Sequence, residues 1–245
     1  MKKKSEIAFD KYISNYDLNE KQIRYKYLHS YEVEKLMKKL AKALKLSEEE
    51  TKLAELIGLL HDIGRFEQVK KYGSCSDSKT GVDHADESCV YLFDKGHIRD
   101  FIEDDKYDDI LKDAIKYHNK LEIDKSIKGK NLFFAKMIRD MDKVDIYRVL
   151  YTEYKGKFNK NEITKKVSDI FYSHKTMDIH ILNSKTDEIL SIIAFIYDIN
   201  FKESFKILKE SNYLEKYFQT IEVDKDSKDT FDKVKQEIKD YLADK

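Results

Sequence analysis

Six side chains able to bind a divalent metal recur along the first part of the chain: His29, the adjacent pair His61-Asp62, His84, His118 and Asp142. Imidazole nitrogen and carboxylate oxygen suit borderline and hard divalent ions, and ligand type alone does not choose among Mn, Fe, Co, Ni, Zn and Mg. No cysteine belongs to the series, which disfavours a structural thiolate zinc site and favours a catalytic ion with open positions. His29, His61, Asp62 and Asp142 suffice for one ion. Adding His84 and His118 permits a second ion roughly 3.5–4 Å from the first, bridged by Asp62. A centre of that kind suits phosphoester hydrolysis, because the ions acidify the attacking water and neutralise the phosphoryl oxygens while the protein holds the ester in line. A single His or Asp is more often an ordinary hydrogen-bonded residue. The ordered series is what carries the reading.

These residues need helices to place them. Proline is absent and glycine occurs only seven times, so few residues break helices and an all-α fold is expected. Ile7, Phe9, Tyr12, Ile13 and Tyr16 form one stripe of a first helix beginning near Glu6, read as a flap on the main body. A longer helix from about Lys21 to Leu44 carries His29, Val33, Leu36, Met37, Leu40, Ala41 and Leu44 at helical spacing, which puts His29 on the buried side. Ser47 with Glu50 three residues later is a capping box, and Leu53, Ala54, Leu56, Ile57 and Leu60 then lead to His61. Tyr72 to Val82 is rich in Gly, Ser, Asp and Lys and is read as a long loop, a lid or substrate-contacting element. Helices are expected again at Asp83 to Phe93, Ile98 to Glu103, Tyr107 to His118 and Leu132 to about Tyr151. Three to five more follow Asn161, with Ile189 to Ile196 the most buried. The expected division is residues 1–155, a catalytic core with its N-terminal flap, and residues 156–245, a C-terminal helical extension packed on it.

Composition narrows the function classes. A chain of 245 residues that is 41% hydrophobic can bury a sizeable core. Its 47 basic and 47 acidic residues cancel, so there is no net basic field for a nucleic-acid backbone, and no interleaved basic-aromatic stretch stands in for one. No window reaches the roughly 18 apolar residues of a membrane span; Ile189 to Ile199 is short and contains Ser191, Tyr197 and Asp198. Only Cys75 and Cys89 are present, and the start lacks an apolar targeting stretch, so a reducing, cytoplasmic setting is expected.

The sequence resembles the HD-domain metal-dependent phosphohydrolase superfamily, whose signature is an upstream His, a His-Asp doublet and a distant Asp. The residues that carry the resemblance are His29 in Leu28-His29-Ser30, the doublet in HDIGRF and Asp142 in RDMDKVD, over roughly residues 20 to 155. His84 in Asp83-His84-Ala85 and His118 in Tyr117-His118-Asn119 look like the extra histidines of the family's binuclear branch. The resemblance implies an HD-like helical bundle with one or two divalent ions, in which Asp142 is a ligand and Asp145, three residues on, supports it. Asp140 lies about 200° around the helix from Asp142, away from the ion. Two subfamily patterns are missing: the Gly-Tyr-Pro motif of the cyclic-dinucleotide branch and the Glu-Asp pair that follows the doublet in the alarmone hydrolases.

The expected substrate is a small phosphorylated molecule, a nucleotide among the candidates. Asp62 is the expected catalytic residue, and Arg65, Lys79 and Tyr117 the expected substrate contacts. A guanidinium at Arg65, one turn beyond the doublet, suits bidentate phosphate binding; the alternative is a surface ion pair with Glu67 or Asp86. Asp77 and Ser78 share the loop with Lys79. His97, His174 and His180 are read as structural or exposed, and neither cysteine as a nucleophile. The same scaffold also resembles di-iron oxygenases, and a nucleotide-binding regulatory module without turnover is the third reading.

Overall fold

The structure, a computed structural model, describes residues 3–153 and 155–245. Helix accounts for 72% of it and strand for 2%, so the chain is all-α as its composition implies. It separates into two compact units, residues 1–142 and 143–245. No helix among the described residues is long and apolar enough to cross a membrane.

In the first unit α1 (Lys4–Ile13), α2 (Lys21–Ala43) and α3 (Glu48–Leu60) come first. Phe9 and Ile13 of α1 are buried, whereas Ile7, placed on the same stripe by its spacing, is 57% exposed. The α1 flap is latched: Phe9 meets Phe66, Tyr27 and Tyr31, and the Tyr12 hydroxyl donates to the Ile63 carbonyl at 3.1 Å. Along α2 the expected stripe is buried at His29, Val33, Met37, Leu40 and Ala41. The capping box at Ser47 forms in both directions, with the Glu50 amide donating to the Ser47 hydroxyl and the Ser47 amide to the Glu50 carboxylate. The α2 and α3 backbones approach closely at Gly58, where a Cβ would stand 2.9 Å from the Val33 carbonyl oxygen and the Glu34 Cα.

After the doublet come α4 (Gly64–Tyr72), a single turn α5 (Asp77–Thr80) and α6 (His84–Cys89). The expected loop therefore contains a helical turn, bounded by Gly73 and Gly81, both left-handed. The helix expected through Phe93 stops being α at Cys89 and continues as a π-type turn over Val90–Asp94. The helix expected at Ile98 to Glu103 is only a 3-10 turn, His97–Asp100. Then α7 runs Asp108–Tyr117, and α8 runs Gly129–Glu153, reaching Asp142 at the end of the first unit. Arg139, 3% exposed, donates to the carbonyl of Tyr117 at the end of α7 and to those of Lys120 and Leu121 just beyond it.

The second unit holds α9 (Lys165–Tyr172), α10 (Lys185–Ile193), α11 (Lys202–Ser211), α12 (Tyr213–Thr220) and α13 (Lys228–Ala243). Ile189, Leu190, Ile193, Ala194 and Ile196 are buried, as their apolar run implies. Lys157–Phe158 and Glu222–Val223 pair in parallel, a two-residue ladder that the sequence does not announce.

Candidate metal centre

The doublet occupies a corner. Helix α3 ends at Leu60, His61 takes its C-cap position, and α4 starts afresh at Gly64, so two neighbouring residues face inward from a turn rather than from one helix face. His29 arrives from α2, His84 from the first position of α6, His118 from the C-cap of α7 and Asp142 from α8. The four histidines and Asp62 are at most 3% exposed, and the Asp142 side chain is 14% exposed.

The imidazoles converge by their Nε2 atoms. His29 and His61 bring theirs to 3.3 Å, and His84 and His118 to 2.9 Å. On the far side of three of the rings, Nδ1 of His61 donates to the Gly58 carbonyl at 2.8 Å, that of His118 to the Ile115 carbonyl at 2.6 Å, and that of His84 to Asp77 at 2.6 Å. A proton held on Nδ1 leaves the Nε2 lone pair pointing inward, the arrangement a metal ligand needs. Asp142 Oδ1 lies 3.0 Å from His29 Nε2 and 3.7 Å from that of His61. The two oxygens of Asp62 face different histidines: Oδ2 lies 3.6 and 3.7 Å from His29 and His61, while Oδ1 lies 3.1 and 3.7 Å from His84 and His118. The sets His29-His61-Asp62, His61-His118-Asp142 and Asp62-His84-His118 each bring donor atoms within 4.8 Å of one another. Neutral inward nitrogens, two carboxylates and no thiol fit a divalent ion.

Electrostatics favour the ligand forms. Burial opposes charge on Asp62, but Lys26 and the neighbouring histidines outweigh it and hold the carboxyl well below its usual range. Asp142 is held ionised against burial in the same way by His29 and His61. Burial pushes His118 down to about 4, against the pull of Asp62 and with the help of His84 and His61. An unfolded histidine titrates near 6.5, so between there and about 4 the unfolded chain binds a proton that the folded chain refuses. Chelator-treated protein should therefore lose stability as pH falls through that window, by up to about 1.4 kcal/mol per pH unit. Urea midpoints at pH 7 and pH 5 check this, and equal midpoints would contradict it.

The other expected residues divide. Arg65 is drawn inward, its side chain 14% exposed, with Nε 3.5 Å from Asp62 Oδ1. Neither Glu67 nor Asp86 is its ion-pair partner: it bonds Asp77, the Cys75 carbonyl and Gln68 instead, because the chain after α4 folds back over it. Lys79 is exposed on α5. Tyr117 is half-buried under the Lys116 ammonium, and its carbonyl takes up Arg139. Asp145 is buried in the second unit and bonded bidentately by Arg148. His97 pairs with Asp100 and His174 with Glu237, both at the surface. Burial pushes the Cys89 thiol up to about 12, so it is no nucleophile.

Three further contributors are not among the expected ligands or substrate contacts. Lys26 Nζ lies 2.6 Å from Asp62 Oδ2; its place three residues before His29, on the same helix face, was the available signal. Ser88, fully buried, accepts from the Gly64 amide and donates toward the carbonyls of His61 and His84, joining the doublet corner to α6. Asp77 holds His84. Elsewhere in the first unit a cavity of about 780 Å³ opens around Lys38, Lys42, Leu46, Leu53 and Phe101, and none of the six candidate ligands lines it.

Comparison with known proteins places this geometry. No curated protein and no solved structure matches the chain. The family description "HD domain" matches residues 27–193, which takes in all six candidate ligands and runs past residue 155, where the sequence resemblance fades. HD domains bind divalent metals and form a superfamily of metal-dependent hydrolases. With the match spanning more than half its length and the doublet at the centre of the histidine cluster, the chain belongs to the HD-domain family.

Proposed function

We propose that the protein is a metal-dependent phosphohydrolase that cleaves a phosphoester of a small phosphorylated substrate, with nucleotides the first class to test. The observation that carries the reading is the division of Asp62, one oxygen toward His29 and His61 and the other toward His84 and His118. His29, His61, Asp62 and Asp142 would hold one ion, and His84, His118 and Asp62 the other. When bound, such ions supply Lewis acidity toward phosphoryl oxygen and acidify the attacking water. The protein's own side chains supply position and charge. Lys26 and Arg65 flank the Asp62 carboxylate with two cations, so a phosphate arriving there meets an ammonium and a guanidinium, which suit its oxygens. The ring nitrogens held by carbonyls and by Asp77 keep the donor set in one orientation.

The test is phosphate release from a panel of phosphomonoesters, nucleotides and phosphodiesters, with chelator-treated protein reloaded separately with Mn, Fe(II), Co, Ni, Zn or Mg. Oxygen uptake is followed in the same samples. Turnover of at least one ester with one of these metals is expected. Oxygen consumption by the iron form without phosphate release would replace the reading with the oxygenase, and nucleotide binding without turnover under every metal would replace it with a regulatory module.

A further inference from the structure

The segment between α4 and α6 has the composition of a mobile lid, but it is tied down along its length. The Gln22 side chain donates to the Gly73 carbonyl and accepts from the Cys75 amide, and the Tyr25 hydroxyl lies 2.5 Å from the Cys75 sulfur. Gln68, 2% exposed, directs its amide nitrogen at Asp77 Oδ1, Thr80 Oγ1 and the Val82 carbonyl. What this strap presents to the metal cluster is Asp77. Its Oδ1 accepts from Arg65 and from Gln68 at 2.9 Å, while its Oδ2 accepts from His84 Nδ1 at 2.6 Å and faces the Asn119 amide at 3.5 Å.

His84 needs such a partner. His61 and His118 stand at helix ends, where the carbonyl three residues back, of Gly58 or Ile115, takes the Nδ1 proton. His84 opens its helix, and the residue three back is the left-handed Gly81, outside the helix. No carbonyl of its own helix is available. We infer that Asp77 is a positioning residue for metal binding, whose carboxylate keeps the His84 proton on Nδ1 and so leaves Nε2 free beside Asp62 and His118. The inference rests on the two-ion reading above. Asp77, Asp83 and His84 also lie within 4.8 Å of one another, but Arg65 already pairs with Asp77, and Lys120 with Asp83. Each of the two carboxylates thus already has a cationic partner.

The geometry defines the variant. In Asp77→Asn the donors Arg65 and Gln68 keep the amide oxygen at the Oδ1 position, which turns the NH₂ group toward His84 Nδ1. That nitrogen must then accept, and the ring proton moves to Nε2, where it blocks the metal. Ring ¹⁵N spectra of metal-free protein should show His84 protonated on Nδ1 in the wild type and on Nε2 in the variant. Calorimetric titration with Mn or Zn should give two equivalents for the wild type, whereas Asp77→Asn keeps the first affinity and binds the second roughly 10–100-fold more weakly. Unchanged binding of both ions by the variant overturns the inference, as does equal weakening of both. A wild-type His84 protonated on Nε2 overturns it even if the variant does not fold. Three wild-type equivalents would make Asp77 a ligand and overturn it too. If the wild type takes up a single equivalent, the two-ion reading fails, and the tautomer measurement still decides the role of Asp77.

Discussion

Asp62→Asn should reduce phosphate release by roughly 10³-fold or more at saturating metal, a loss of several kcal/mol of transition-state stabilisation at about 1.4 kcal/mol per factor of ten. The substitution preserves shape and removes one charge and one acceptor. Lys26 donates to Oδ2 at 2.6 Å, so the substituted amide keeps its oxygen on that side and directs NH₂ at His84 and His118. An NH₂ aimed at the two Nε2 lone pairs donates to them, so they are occupied and the amide has no oxygen on that side to bridge a second ion. The first ion should therefore still bind, more weakly, and the second should be lost. Initial rates across a metal titration measure this. Activity within about threefold of wild type would show that Asp62 does not hold the reacting centre together, since a loss that small is under about 1 kcal/mol.

Gly64→Ala should destabilise the protein by about 1–3 kcal/mol through overpacking. A Cβ at this position would stand 2.6 Å from the His84 carbonyl oxygen and 2.7 Å from the Ser88 amide nitrogen. Both are backbone atoms of α6 and cannot swing aside. The Gly64 amide also donates to Ser88 Oγ at 2.9 Å, so a shift that relieves the clash stretches a buried hydrogen bond. Because α6 begins with His84, the same shift should weaken the ion held by His84 and His118 more than the other. Gly58→Ala is the companion variant: its Cβ would meet the α2 backbone beside Val33 and Glu34, so it should destabilise the protein while disturbing the His29 and His61 side. Thermal midpoints and metal titrations of both variants test the pair. A Gly64→Ala protein with wild-type stability and both ions intact would refute the close packing of α4 on α6.

The helices that carry ligands were legible because their signals are local. The stripe around His29, the Ser47 capping box and the apolar run into His61 each depend on residues within a few turns, and each element appears where its pattern lies. Convergence was legible only as an ordered series, to which the family resemblance gave a geometry. What escaped depends on contacts distant in sequence. Asp77 and Ser78 are alike on paper, and only the return of the chain over Arg65 and Gln68 sets one of them against His84. Arg65 lies one turn beyond the doublet, but its partners Asp77 and Cys75 lie in the segment read as a long loop, ten or more residues further along the chain. Lys79, two residues from Asp77, is turned outward by the single helical turn that turns Asp77 inward.

Anomalous diffraction from crystals of the Mn- or Zn-loaded protein would locate the ions. Two peaks are expected on either side of the Asp62 carboxylate, one against His29, His61 and Asp142 and the other against His84 and His118. A single peak with His84 and His118 unligated would contradict the two-ion reading.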